Sequence, residues 1–183
     1  MSDELPMTRL RASAHPVRLR ILSLLTGVDL SATDVARELD LTHANASYHL
    51  RVLERAGLIV VAGEEKIRGG VTKRYRYDLA ESRTAGRGAT DPEGQQAYLR
   101  ATAEELTRRG LELDPAGKIH ATDAEVWLRP EVWEQVREHL QEAARIAHEE
   151  AQPPRTEGTL HLNLTTVTFE MARRRAPDGE VEG

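Results

Sequence analysis

Two short helical patterns separated by only two residues constrain this fold more than any other feature. Ser31 is a typical N-cap for a helix over 33–39, and Thr42 caps the next helix, which runs to about residue 56. Asp40 and Leu41 alone connect the two helices. Such a tight connection is typical of a helix-turn-helix.

The apolar periodicity changes from helical to strand-like after Gly57, which suits the C-cap of the second helix. Residues 58–62 are apolar, residues 72–79 alternate, and the polar stretch 63–71 between them has the paired glycines of a hairpin tip. An earlier helix begins at Pro16. The order of helix, helix, turn, helix and hairpin predicts a winged helix-turn-helix over residues 8–80.

The second half of the chain shows two helical and two strand-like patterns. The helices begin at Pro92 and Pro130, and the strand candidates span 121–128 and 159–171. We therefore predict an α+β fold, in which the winged helix-turn-helix precedes a small α+β domain for dimerisation and effector binding. The boundaries are a linker at 81–90, this domain at 91–171 and a disordered tail at 172–183.

The second strand candidate has an apolar face that changes parity. Leu160, Leu162 and Leu164 occupy even positions, whereas the apolar residues from Val167 to Met171 occupy odd ones. A bulge near residues 165–166 would explain the change, and so would burial on both faces. Burial on both faces would suit a strand shared with a second subunit.

Composition excludes several functional classes. The chain of 183 residues has no cysteine, which removes disulfide frameworks, thiolate zinc sites and cysteine nucleophiles. The first residues, MSDELPM, do not resemble a secretory signal, and the longest apolar stretch, 57–63, is far too short to cross a membrane. We predict a cytoplasmic protein with no membrane partner.

No pattern of residues points to catalysis or to a bound cofactor. A phosphate-binding loop, a nucleophile elbow and an HExxH motif are all absent from the sequence. His139 and Glu142 have i, i+3 spacing, but His148 falls half a turn away from His139 on the same helix. We predict that the chain is not an enzyme, binds no metal and needs no cofactor.

The net charge of −5 conceals an uneven distribution. Residues 42–77 hold seven Lys and Arg against three Asp and Glu, whereas residues 81–183 hold 13 against 20. A basic segment joined to an acidic remainder is compatible with one face binding phosphate, although it also fits an ordinary solvated surface.

The helix after Thr42 has the two faces that reading a DNA groove requires. Ala46, Leu50 and Leu53 form an apolar inner stripe, which leaves polar residues on the outer side. Basic residues of the hairpin can lie along the DNA backbone. The predicted DNA-binding residues are Thr42, His43, Ala44, Asn45, Ser47, Tyr48, Arg51, Lys66, Arg68, Lys73 and Arg74.

Two runs of residues carry a family resemblance: Ala14-His15-Pro16-Val17-Arg18, and the stretch SYHLRVLERAGLI over residues 47–59. Over about residues 10–79 the chain resembles the ArsR-like winged-helix transcription regulators. The resemblance implies double-stranded DNA as partner, with His43, Ala44, Ser47, Tyr48 and Arg51 nearest the bases. Tyr48 stands where members of the family often have histidine.

Many members of that family sense metals through cysteines or through carboxylates and histidines on a dimerisation helix. This chain has no cysteine and no histidine at 92–109, so it is similar to members that respond to another ligand or to none. The aromatic residues of the second half either line an apolar ligand pocket or form the core of a small domain. They are Tyr98, Trp127, Trp133 and Phe169.

We therefore predict a sequence-specific transcriptional repressor that binds an inverted-repeat operator as a homodimer and responds to a small non-metal ligand. Two-fold pairing adds affinity that one short helix lacks. The alternatives are a winged-helix module that binds proteins without reading DNA, and an enzyme acting through the acidic second half.

Overall fold

A computed structural model describes residues 9–67, 70–77 and 91–172 of the chain. Six helices and three strands follow one another in these ranges. They are α1 (Arg9–Ser13), α2 (Pro16–Leu24), β1 (Leu30–Ser31), α3 (Ala32–Leu39), α4 (His43–Arg55), β2 (Ile59–Ile67), β3 (Gly70–Tyr77), α5 (Pro92–Gly110) and α6 (Pro130–Glu149).

Caps read from the sequence begin the two helices of the helix-turn-helix. Ser31 and Asp34 form a reciprocal capping box at the start of α3, and the Thr42 hydroxyl accepts a hydrogen bond from the Asn45 N–H at the start of α4. Asp40 adopts the left-handed conformation, with φ of 53°, and ends α3. This single residue reverses the chain and makes the two-residue connection to α4 feasible.

The apolar core lies between α2, α3, α4 and the sheet. Its largest fully buried side chains are Ile21, Leu25, Val35, Leu50, Leu53 and Ile59. They come from α2, α3, α4 and β2 and from Leu25 directly after α2, and Tyr75 of the central strand β3 adds to the same core. The core therefore fixes the position of α4 relative to the wing.

The wing is an antiparallel sheet with strand order β1-β3-β2. The pairing of β2 with β3 shifts between Val61 and Gly63, so Ala62 is the extra residue of a β-bulge. The short strand β1 was not predicted from the sequence, because two residues are too few to show alternation. It pairs with Tyr75 and Arg74 and ties the wing to the start of α3.

Helix α5 packs against α1 and α2, and its buried residues include a carboxylate. Ala101 and Glu105 are buried, whereas Leu99 and Leu106 are 36% and 48% exposed. Glu105 can face inward because Arg108 and Arg109 pair with its carboxylate, at 3.1 and 3.4 Å. An ion pair that shields a buried carboxylate is not visible in apolar periodicity.

Helix α6 is preceded by arm 1 (residues 111–129) and followed by arm 2 (residues 152–172), two long segments that contain turns but no helix or strand. The strands predicted at 121–128 and 159–171 lie within these arms and are not formed in the described chain. A strand gains its stability from pairing, and neither arm pairs with a strand among the described residues. The prediction of two strands in this region was wrong for one copy of the molecule.

The mixed helix and sheet class is confirmed, with the described sheet confined to the wing and the C-terminal region helical. The predicted boundaries at residues 80 and 91 stay a prediction. The linker at 81–90 lies outside the described residues, as does the predicted tail from residue 173 onward.

Candidate nucleic-acid interface

Helix α4 presents an apolar face to the core and a polar face outward. The side chains of Ala46, Leu50 and Leu53 are 0% exposed, as their spacing predicted. On the opposite side Tyr48 is 54% exposed. Thr42, His43, Ala44, Asn45 and Arg51 are also exposed, and Ser47 is half-buried. All the predicted residues of this helix are thus at least partly accessible to solvent.

Arg51 is held close to its own helix. Its Nε donates a hydrogen bond to the Ser47 carbonyl oxygen, at 3.2 Å. The bond is exposed, so its loss costs little, and the guanidinium can rotate away to meet a ligand. A planar guanidinium on this surface has the geometry for a bidentate bond to guanine O6 and N7.

His49 of α4 contacts the ring of His15, which precedes α2, in a tilted arrangement. The rings of His15 and His49 lie 5.0 Å apart, and the Tyr48 ring lies 5.3 Å from His49. His15 also caps α2, because its Nδ1 accepts the Val17 N–H at 3.1 Å. His49 thus packs against the residue that caps α2.

The histidine pair has lowered pKa values. Burial is the largest cause for both residues, and the neighbouring Arg18 guanidinium lowers the pKa of each further. The buried His49 Nδ1 has no hydrogen-bond partner in the part of the chain that the structure describes. A neutral imidazole fits this position better than a charged one, because protonation would place positive charge beside another histidine and an arginine.

The basic residues of the wing are tied to acidic neighbours. Lys73 Nζ lies 3.3 Å from Glu54 Oε1, and Arg74 Nη2 lies 2.8 Å from Glu65 Oε2. These hydrogen bonds raise the pKa of Lys73 and of Arg74. Arg74 also donates to the Asp29 carbonyl oxygen, at 3.1 Å. Lys73 and Arg74 therefore stabilise the wing through these contacts and also contribute positive charge to it.

The two other cations predicted in the wing are Lys66 and Arg68. Lys66 is exposed near the end of β2, and Arg68 lies outside the described residues. Arg76 was missed from the sequence, although strand alternation places it on the same face as Arg74. Its Nε and Nη2 donate to the Asp29 carboxylate, at 2.6 and 2.8 Å, which raises the pKa of Arg76.

The four aromatic residues predicted to line a ligand pocket do not come together. Trp127 is 83% exposed on arm 1 and Phe169 is 61% exposed on arm 2. Trp133 is partly buried in α6, and Tyr98 lines a cavity that contains none of the other three. Only Tyr98 is thus placed at an enclosed space.

That cavity has a volume of about 630 Å³ and lies where the winged helix-turn-helix meets the C-terminal region. Its wall combines apolar side chains of α1 and α2, polar side chains of α5 and residues of α6 and arm 2. The Thr102 hydroxyl at this wall is buried and lacks a hydrogen-bond partner within the described ranges. The main lining residues are Leu10, Leu19, Leu22, Tyr98, Thr102, Glu105, Leu106, Arg109, His148 and Leu164.

Neither a metal site nor a membrane span is found among residues 9–67, 70–77 and 91–172. No group of three or more histidine, aspartate or glutamate side chains is arranged to hold a metal ion. No helix in these ranges has the length and apolar character to cross a membrane.

Part of the winged helix-turn-helix is similar to known proteins. A family described as "helix-turn-helix domain" matches residues 14–62. The transcriptional repressor SdpR of Bacillus subtilis (strain 168) is 37% identical over 49 residues, which are 27% of this chain and 54% of that protein. The chain thus spans about half the length of the curated relative that it matches. With its antiparallel wing, the matched region confirms that this protein carries the winged helix-turn-helix of a transcription regulator.

Proposed function

We propose that this protein is a transcriptional repressor that reads DNA through α4, binding an inverted-repeat operator as a homodimer. The observation that carries the proposal is the two-sided character of α4. Its inner stripe is completely buried, so the helix is rigid, while Asn45, Tyr48 and Arg51 remain accessible. A rigid helix with an exposed polar face suits the major groove.

The roles of the site residues follow from their positions. In this proposal the exposed side chains of α4 contact base edges, whereas the exposed wing residue Lys66 contacts phosphate. Lys73 and Arg74 exchange their carboxylate partners for phosphate on binding, at the cost of two exposed ion pairs. Arg68 completes the predicted phosphate-binding set. Regulation of transcription also implies a protein of the cytoplasm with no catalytic role.

Titration of labelled genomic fragments at two salt concentrations tests this proposal. Arg51→Ala should reduce discrimination between operator and other DNA by about 1–3 kcal/mol. Lys66→Ala should weaken binding to all sequences equally and lower the slope of log K against log salt by about 1. Arg137→Ala is the matched control, because it removes one positive charge from α6, away from the winged helix-turn-helix.

The alternative function gives a different result in the same titration. A winged helix that only binds proteins would show weak DNA binding that neither Arg51→Ala nor Lys66→Ala changes. Equal DNA affinity in the wild type and all three variants would reject direct DNA reading.

We further propose that the cavity beside Tyr98 holds a small organic effector. The cavity joins α2, which packs on α4, to α5, α6 and arm 2, so a ligand there would contact both halves of the molecule. The unpartnered Thr102 hydroxyl and the Arg109 guanidinium offer polar contacts within a mostly apolar wall. Regulation requires that the ligand bind one arrangement of the halves better than another.

A thermal-shift screen of small organic compounds tests the effector site. Compounds that bind the cavity should stabilise the wild type and fail to stabilise Thr102→Trp, which fills the space. Trp substitution at the exposed position Thr107 of the same helix is the control. Equal stabilisation of Thr102→Trp by every active compound would exclude this cavity as the site.

A further inference from the structure

The two arms expose more apolar surface than an isolated chain tolerates. Every residue of arm 1 is exposed, and in arm 2 Thr165 alone is half-buried. The large apolar side chains in 118–128 and 160–171 range from 38% to 83% exposed. They are Ile119, Val126, Trp127, Leu128, Leu160, Leu162, Leu164, Val167, Phe169 and Met171.

The backbone of the same two segments is unpaired. Within the described chain, no backbone-to-backbone hydrogen bond involves residues 118–128 or 160–172. The segments contain no helix or strand and are rich in β-branched and apolar residues, which is the composition of strands. A segment of this composition with unpaired backbone N–H and C=O groups can pair with another strand.

We propose that residues 118–128 and 160–171 pair with the same segments of a second copy of this chain and form an intersubunit β-sheet. The proposal rests on the homodimer of the proposed function and names the surface that builds it. The apolar parity change at Thr165 and Thr166 fits this assignment, because both faces of the strand carry apolar residues for burial.

The size of the exposed surface suits a stable dimer. Ten large side chains, each exposing on the order of 100 Å², offer about 1000 Å² per chain, compared with about 800 Å² per partner in a standard interface. Segment 160–171 carries only one charged residue, Glu170. A weakly charged centre with charged surroundings is the usual composition of an interface.

Charge argues against other occupants. Residues 111–172 hold 12 Asp and Glu against five Lys and Arg, which disfavours contact with DNA or with an anionic membrane surface. A second copy of the chain presents the same unpaired segments. A two-fold axis lets each arm pair with the equivalent arm of the other copy.

Arm 2 contacts the rest of the single chain at several points. Arg109 Nη1 of α5 donates to Asn163 Oδ1 of arm 2, at 3.0 Å, and Arg155 Nη2 bonds to Glu38 Oε2 of α3, at 2.7 Å. Leu164 and Thr165 line the cavity beside Tyr98. Pairing through arm 2 therefore connects the dimer contact to the winged helix-turn-helix and to the proposed effector site.

Sedimentation velocity at micromolar concentration tests the interface. The wild type should sediment as a dimer, and the double variant Leu162→Asp, Phe169→Asp should sediment as a monomer. Leu111→Asp is the matched control, because Leu111 is 86% exposed in arm 1 but lies outside both pairing segments, so this variant should remain a dimer. A monomeric wild type, or a double variant that remains dimeric, would overturn the proposal.

Two further measurements separate loss of pairing from loss of folding. Amide hydrogen exchange of the wild type should show protection over 160–171 that disappears in the double variant, while protection of α4 is retained. In Trp133→Phe, which leaves Trp127 as the only tryptophan, emission should shift to the blue as concentration rises through the dimerisation range. Fast exchange over 160–171 in the concentrated wild type would also overturn the proposal.

Failure of this inference is distinguishable from failure of the proposed function. A dimer that separates in the double variant but does not bind DNA supports the interface and rejects DNA reading. Specific DNA binding by a dimer that persists in the double variant supports the proposed function and rejects this interface.

Discussion

The winged helix-turn-helix and the C-terminal region differ in how far their apolar residues are buried. In the first region the apolar stripes of α2, α3 and α4 close on one another, and six large side chains are fully buried. In the second region α6 has no fully buried residue and both arms are exposed. The comparison shows that the winged helix-turn-helix buries its apolar stripes within the single chain, whereas the arms of the C-terminal region leave theirs exposed.

The largest expected effect is the removal of a core side chain from α4. Leu50→Ala should lower the free energy of unfolding of the winged helix-turn-helix by about 2–5 kcal/mol, because it leaves a cavity in a fully packed site. Leu162→Ala in arm 2 is the matched control and should change this quantity by less than about 0.5 kcal/mol. Urea denaturation at low protein concentration measures both, and equal losses would break the comparison.

A smaller effect is expected at the capping box of α3. Ser31→Ala removes the hydroxyl that accepts the Asp34 N–H at 3.2 Å, and should cost about 1 kcal/mol of stability. Thr33→Ala, at an exposed position of the same helix, is the control. Thermal unfolding followed by circular dichroism tests the difference, which should vanish if the cap does not stabilise the fold.

The same cap predicts a dependence on acidity. The Ser31 hydroxyl lowers the pKa of Asp34 below its ordinary value of 3.8. The stabilisation is thus present above pH 3.8 and is lost as pH falls through the lower folded-state pKa. In Ser31→Ala this part of the acid destabilisation should be absent.

The histidine pair behind α4 predicts a loss of stability in a milder pH range. Both folded-state pKa values lie below the ordinary 6.5, so the unfolded chain binds more protons as pH falls below 6.5, and stability declines towards pH 5. Each unit of pKa difference is worth about 1.4 kcal/mol. Urea denaturation from pH 7.5 to pH 5 should show a weaker decline in His49→Gln than in the wild type.

A histidine in the C-terminal region serves as the control for this measurement. His161 is exposed in arm 2, and His161→Gln should leave the decline unchanged. If His161→Gln reduces the decline as much as His49→Gln does, the decline does not arise from the buried pair.

The smallest expected effect concerns the ion pair that joins the wing to Asp29. Arg76→Gln should lower stability by less than about 1 kcal/mol, because both partners are largely accessible to water. Arg145→Gln, which removes a similar exposed ion pair from α6, is the control. Denaturation at low and high salt should show a difference between wild type and Arg76→Gln that shrinks as salt rises.

Much of the winged helix-turn-helix could be predicted because its signals are local. The caps Ser31 and Thr42, the two-residue connector and the stripe of Ala46, Leu50 and Leu53 each depend on neighbours within one or two helical turns. Such signals act before tertiary packing and agree with it here. The polar face of α4 followed directly from the apolar stripe.

The features that the sequence did not predict depend on partners distant in sequence. Strand β1, the ion pairs of Asp29 and the burial of Glu105 are set by elements that meet only in the folded chain. The strands expected in arms 1 and 2 had the right composition but pair with no strand among the described residues. The pocket residues did not converge because three of the four aromatics lie on or beside those unpaired arms.

The sequence by itself determined where α2 to α6 begin and which face of α4 turns inward, because capping bonds and apolar spacing are local properties of the chain, whereas the short helix α1 was not predicted. Tertiary structure alone decided which cations of the wing are paired, where a cavity forms and which apolar residues remain uncovered. Those features depend on distances between elements far apart in sequence, and such distances exist only after the core has closed.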